Sequence, residues 1–568
     1  MLCFNAITAT RSAQLQTLVI NFIGSINFII VVVEGLGLQQ FINIIIHVKL
    51  LFAISLFTNH LLTIHLLNRL IGHYVQIVTV SLASIASFNN SIAAGFRAGH
   101  REFAARPSSV YYPRHSCICN YVGDSRLKQC RLMTTLSLSY LNGFNNEHQT
   151  EALPGALPVG QFNPQKNPYG LYTEQFSTTA FTMSRAQNRR TWFYRIRPSV
   201  VQGNYQAMSC GLVRTAPITE INASPEMLRW GAFELPQRPT DFIDGLITLA
   251  ANGDAKTQTG IGIHIYSANQ SMVDRVFCNA DGELLIVPQL GGLLLQTECG
   301  KLVIQPGDIG VIPRGLKFKV DLIDTQVRGY ICENYGAPLD LPERGPVGAN
   351  GFANDRDFQY PTAAYDDDDN NKFELVSKFC GGFFRCEIKH SPFDVVAWVG
   401  NSAPYKYDLS RFNAVNTVSF DHPDPSIFTV LSSASSLPGM ANVDFVIFPP
   451  RWMVAENTFR PPWYHRNIMS EFMGLVEGVY DAKETGFVPG GASLHNCMSP
   501  HGPEAAVFEK ATNTELKPER YRDTLAFMFE SRFVIAPTRY ALDTPVRQRD
   551  YSACWRDIQK HFDPGEPG

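Results

Sequence analysis

The sequence has no CxxC pair: its twelve cysteines are scattered through 568 residues, and only Cys117 and Cys119 stand close together. That spacing offers no zinc ribbon. A chain of this size without a clear export signal also argues against a disulfide framework, and a reducing, cytoplasmic compartment is expected. Basic excess is missing too. With 48 Lys and Arg against 51 Asp and Glu, the net charge of −3 leaves no electrostatic case for nucleic acid as a partner. The Gly-rich stretch 345–358 lacks the strand, turn and helix context of a nucleotide loop. The acidic run 365–372 lacks the spacing and closing glutamate of an EF-hand, so it reads as a solvated loop.

What the chain does contain is unevenly distributed. Residues 1–132 hold ten Lys and Arg against three Asp and Glu, whereas the remainder holds 38 against 48. Uncharged runs span residues 12–33, 50–68 and 70–96. About 20 apolar residues cross a bilayer, so one to three membrane helices is the literal reading of this leader. Asn and Gln recur within the runs, and His60, His65 and His73 would lie in or near hydrocarbon. No small-residue cleavage site closes the region as a secretory signal requires. The leader is therefore expected to stand outside the folded protein, either as upstream sequence or as a membrane anchor.

From residue 133 onward short apolar runs alternate with turn residues. GIGIHIYSA, ELLIVPQLG, GLLLQTE, KLVIQPGDIGVIPRG and LKFKVDLI predict strands of four to eight residues bounded by Gly, Pro, Asp or Asn. The fold class expected is all-β dominated: a bicupin or jelly-roll β-sandwich with peripheral strands and short helices. PGDIGVIPRGLKFKV resembles the second cupin motif, but Lys317 and Phe318 stand where a histidine ligand is usual. This half is predicted to be metal-silent, with His264 a satisfied core residue. The division expected is a leader over 1–132, an N-terminal β domain over 133–410 and a C-terminal cupin domain over 411–568.

Four of the fourteen histidines, His422, His465, His495 and His501, fall within eighty residues of the C-terminal part. Two imidazoles and one carboxylate on one face of Fe(II) form a facial triad with open positions. His465, Glu471 and His501 are candidates, although a His near a Glu is also common as a structural hydrogen-bonded pair. Ligands of one ion sit about 2 Å from it, whereas six residues of straight strand span about 20 Å. The chain must therefore reverse between His465 and Glu471, and turn-capable residues at 467–470 predict a tight bend before a strand over 471–480. Strict alternation puts Tyr480 on the face opposite Glu471, and a bulge at Gly478 would restore the parity. His422 precedes a proline, which favours an extended or turn conformation.

The stretches SYLNGFNNEH, PGALPVGQFNPQ, SFDHPDPSIFTVL, DFVIFPPRW, RPPWYHRNIMSEFMG and GGASLHNCMSPHGPEA together resemble the homogentisate 1,2-dioxygenase family from about residue 133 to the end of the chain. The resemblance implies Fe(II) as cofactor, homogentisate and O2 as substrates, and ring opening to maleylacetoacetate in tyrosine and phenylalanine catabolism. It implies His465, Glu471 and His501 as iron ligands and His422 as the active-site base. Tyr480, with His501 on the iron side, would contact the substrate. His495 matches the general cupin spacing for the third ligand, but the family motif favours His501 and leaves His495 beside the site. A homo-oligomer, a hexamer built from two trimers, is also implied. Other readings are a cupin enzyme using a different metal on another phenolic acid, and a non-catalytic bicupin.

Overall fold

The computed structural model describes residues 15–21, 27–33, 138–344, 353–414, 428–453, 456–483 and 485–565. The segment with His422 lies outside the described residues, as does most of 1–132. Within the leader, Leu15–Asn21 pairs antiparallel with Asn27–Val33. The described residues of the uncharged run, Leu15–Asn21 and Asn27–Val33, are thus strands and not parts of a membrane helix. Among the described residues no helix is long and apolar enough to cross a membrane.

The body of the chain is almost entirely β, as the alternating apolar runs require. Strands appear at Ile261–Ala268, Glu283–Leu290, Leu293–Thr297, Gly300–Ile304, Asp308–Ile312 and Lys317–Leu322, within a residue or two of the segments read from sequence. A nine-stranded and a seven-stranded sheet carry this half. Leu285, Val287 and Val311 of the first share one core with Leu295, Leu302 and Val320 of the second, which makes a jelly-roll sandwich. Phe318, at the position where a cupin ligand was missing, packs edge-on against Phe277 and Phe242 with centroids 5.7 and 6.1 Å apart. Lys317 is buried and bonds Glu298 at 3.2 Å. His264 is satisfied on both nitrogens, by Thr248 at 2.8 Å and Glu333 at 2.9 Å. In the acidic run, Asp369 pairs with the half-exposed Arg197 at 2.5 Å.

A six-stranded antiparallel sheet carries the second half, in the order Thr429–Ala434, Ala441–Phe448, Leu525–Ser531, Ser470–Glu477, Ala492–His495 and Leu228–Trp230. Its last strand comes from the first half, and Ala536–Pro537 returns the exchange by joining the nine-stranded sheet. Because side chains alternate across a strand, Phe472, Phe527 and Phe529 face the large shared core. Glu471, Met473 and Leu475 face the other way, and the apolar ones pack with Val446, Tyr480, Phe487 and Met528. Gly474 permits the close fit on the core side, since a Cβ there would stand 2.5 Å from the Phe527 ring.

The central strand ends at Glu477, not at residue 480. The ladder irregularity lies between Leu475 and Glu477, and Gly478 then turns the chain with φ +74°. Tyr480 sits in the following turn, so strand parity does not decide its direction. A Cβ at Gly478 would fall 1.9 Å from the Asp523 carbonyl oxygen. Gly478→Ala is expected to cost at least about 1–3 kcal/mol, the usual penalty for left-handed backbone at a non-glycine. Denaturant midpoints of the two proteins check this, and equal midpoints would refute it.

Candidate metal centre

Three segments converge at one end of the central strand. His465 meets His501 in an isolated antiparallel bridge, each backbone N–H donating to the other's carbonyl at 2.9 and 3.1 Å. The chain then bends after Asn467, whose carbonyl accepts from the Met498 N–H at 2.7 Å. It enters the strand at Ser470, which places Glu471 beside His495 on the neighbouring strand. This is the reversal that the His465 to Glu471 spacing demands. Residues 496–499 turn the neighbouring strand back toward His501, through a bond from Ser499 N–H to the Asn496 carbonyl at 2.9 Å.

The side chains of His465, Glu471 and His501 bring one ligand atom each within 4.8 Å of one another, and no other such group occurs among the described residues. His501 Nε2 lies 2.9 Å from Glu471 Oε2, and His465 Nε2 lies 3.7 Å from Oε1. The other ring nitrogens are already committed. His465 Nδ1 bonds the Trp463 carbonyl at 2.7 Å and His501 Nδ1 bonds the Ser499 carbonyl at 2.9 Å. A carbonyl only accepts, so Nδ1 carries a proton in both rings, and Nε2 is the atom that each ring turns toward the carboxylate. Backbone partners of this kind orient metal-binding histidines. Lone pairs facing a carboxylate at this distance repel unless a proton or a metal cation stands between them, so the donor set fits a metal ion.

The electrostatics of the metal-free site say the same. Burial opposes ionisation of Glu471, yet bonds from His465 and His501 outweigh it and hold the carboxyl well below its usual range. The Glu471 bond, against a smaller opposing effect of burial, raises His465 above 6.5. The site therefore stabilises positive charge. Asn467 Nδ2 donates to Glu471 Oε1 at 2.5 Å and steers the carboxylate.

His495 lies outside this trio. Its ring stacks on His501 with centroids 4.0 Å apart, and Nε2 meets the Tyr551 hydroxyl at 3.0 Å. Burial first, and then the Lys483 charge, push its pKa well below 6.5, which keeps the ring neutral. Tyr480 is buried, edge-on to Phe448 and Phe487 at 5.3 and 6.3 Å.

Lys483 is the residue that sequence reasoning missed. Its ammonium is buried, bonded to Ser493 Oγ at 3.0 Å and 4.9 Å from the Phe487 ring centroid. Burial brings its pKa down to about 7, despite the opposing Glu471 charge. In DAKETG a lysine between turn residues reads as solvated, and only the pairing of Met473 with Ser493 on the adjoining strands shows what lies above it. Arg229 and Glu504, a buried pair at 2.9 Å, and Tyr551 were missed for the same reason.

Family models described as the homogentisate 1,2-dioxygenase N-terminal and C-terminal domains match residues 139–409 and 410–562. A curated homogentisate 1,2-dioxygenase from Pseudomonas fluorescens (strain Pf0-1) is 59% identical over 428 residues, covering 75% of this chain and 98% of the relative. One from Pseudomonas syringae pv. syringae (strain B728a) is 58% identical over 426 residues, covering 75% and 97%. A solved cupin 2 conserved barrel domain protein from Leptotrichia buccalis is matched at 9% identity and TM-score 0.21, over 57% of this chain and 99% of that one. With both domain models matched in sequence order and relatives covered almost from end to end, the chain belongs to the homogentisate 1,2-dioxygenase family.

Proposed function

We propose that the chain is an Fe(II)-dependent enzyme that inserts O2 into homogentisate and opens its ring to maleylacetoacetate. One observation carries the metal part: two imidazole Nε2 atoms and a carboxylate oxygen converge within 4.8 Å of one another, close enough to share one ion. A two-histidine, one-carboxylate set without thiolates suits Fe(II). His465, Glu471 and His501 would hold it. Iron, when bound, supplies the one-electron chemistry that lets triplet O2 react with a closed-shell aromatic ring.

The rest of the work falls to the chain itself. Glu471 brings the negative charge that partly neutralises the ion, and the carbonyls of Trp463 and Ser499 fix the direction of both imidazoles. His422 is assigned as the base that takes the phenolic proton, a task suited to an imidazole titrating near neutral pH. Tyr480 is assigned to hold the substrate beside His501. The apolar wall of Met473, Phe487 and Met528 keeps water from the reacting ring.

We assign the metal-silent half to 133–410 and the catalytic half to 411–568, a division supported by the junction of the two matched domain models. A homo-oligomer, two trimers in a hexamer, belongs to the same reading. It is supported by the exposure of Trp463, Ile468 and Met498 around the site, at 53, 60 and 54%. A cytoplasmic location is supported by the eight described cysteines, all free thiols.

Metal and base are separable by mutation. His465→Ala, Glu471→Ala and His501→Ala should each lose iron and nearly all turnover. His422→Ala should keep its iron and slow by about 10² to 10⁴, the usual loss of a general base. Iron assay and O2 uptake with homogentisate check both, and a His422→Ala protein lacking iron would overturn the assignment.

The proton balance gives a second test. His465 binds a proton more tightly in the metal-free fold than an ordinary imidazole, and metal must displace that proton. Iron affinity should therefore rise with pH until His465 is neutral and then level off, with proton release on binding. In metal-free Glu471→Gln the His465 pKa, followed by NMR, should fall toward 6.5. An unchanged pKa would refute the role given to the carboxylate.

A further inference from the structure

Tyr480 has no ladder to hold it. It lies beyond the end of the central strand, in a turn closed by the Lys483 N–H to its carbonyl at 3.1 Å. The next residue, Asp481, is anchored instead. Its Oδ2 accepts from Arg451 Nη2 at 2.7 Å, with the two side chains only 6 and 8% exposed. Its Oδ1 is buried without a partner among the described residues, so the carboxylate relies on that guanidinium.

Arg451 is itself locked in place. It belongs to the short strand Arg451–Met453, paired with Glu519–Tyr521, and its Nη1 donates to the Pro449 carbonyl at 3.2 Å. Its Cζ lies 5.4, 5.7 and 5.9 Å from the ring centroids of Tyr521, Phe428 and Phe448, within the range of cation–π attraction. Phe448 in turn meets Tyr480 edge-on at 5.3 Å. Phe428 resumes the described chain six residues after His422. One guanidinium thus ties together the turn bearing Tyr480, the ring that packs on Tyr480, and the end of the segment bearing His422.

We propose that Arg451 is a positioning residue for substrate binding: through Asp481 and Phe448 it sets where Tyr480 stands beside the metal centre. The proposal rests on the reading of Tyr480 as a substrate contact. Truncating either partner alone leaves a buried charge uncompensated, whereas replacing both with apolar residues is often tolerated. The informative variant is therefore the pair Arg451→Met with Asp481→Leu, compared with Tyr480→Phe and with all three changes together. Arg451→Lys keeps the charge and loses the planar stack, and it serves should the pair fail to fold.

Iron content should stay at the wild-type level in every variant. The paired swap should raise KM for homogentisate by about tenfold, within the range for coupled neighbours, while kcat changes much less. Tyr480→Phe should raise KM too, and the triple variant should be no worse than the worse of its parents, because both changes disable one contact. Arg451→Lys should show a smaller rise in KM, again not compounded by Tyr480→Phe. A merely structural role would multiply with Tyr480→Phe or would lose iron, and either result overturns the proposal. A normal KM in the paired swap, or in Arg451→Lys if the pair does not fold, beside an impaired Tyr480→Phe, overturns it while sparing Tyr480. A wild-type Tyr480→Phe overturns the substrate-contact reading and the proposal with it.

Discussion

The second half is built around three ligand atoms set so close together that a proton or a metal ion must stand between them. The Glu471 carboxylate stands 2.9 Å from an imidazole nitrogen of His501 and 3.7 Å from that of His465, and backbone carbonyls hold both rings so that Nε2 faces it. Such an arrangement stores affinity for positive charge. Its neighbours conform to it: His495 is kept neutral by burial, and the buried Lys483 is pushed toward neutrality. A second fixed cation in this space would compete with the metal, and burial weakens that competitor.

The two halves cannot be treated as beads on a string. Leu228–Trp230 completes the sheet that bears Glu471, and Ala536–Pro537 completes the nine-stranded sheet of the first half. Tyr330 of the first half donates its hydroxyl to the Gly491 carbonyl at 2.7 Å, and its ring meets Phe527 at 4.9 Å. The first half therefore packs directly under the central strand. The position where cupins usually carry a histidine is filled by Phe318, packed with the Phe277 and Phe242 rings, which gives the region a packed core.

Much of this was legible in the sequence, for physical reasons. Strands of the first half have buried sides and turn-forming ends, so ELLIVPQLG announces itself by composition. The bend before Glu471 followed from distance alone, since neither strand nor helix brings His465 close enough. Tyr480 resisted the same logic: parity arguments hold only within a strand, and the strand stops at Glu477, where Gly478 takes a positive φ. Lys483, Arg229 and Arg451 were illegible because long cationic side chains read as solvated, and their burial depends partly on partners remote in the chain, such as Glu504 for Arg229, 275 residues away, and Asp481 for Arg451, 30 residues away. His422 lies outside the described residues, and its role rests on the family motif.

The central claim is that this site joins O2 and an aromatic substrate so that both oxygen atoms enter one product. Its most direct measurement is turnover of homogentisate by the iron-loaded protein under ¹⁸O2, with mass analysis of the ring-opened product. Two labelled oxygen atoms in each product molecule are predicted. A single labelled atom, with the other drawn from water, or an unlabelled product, would contradict the account.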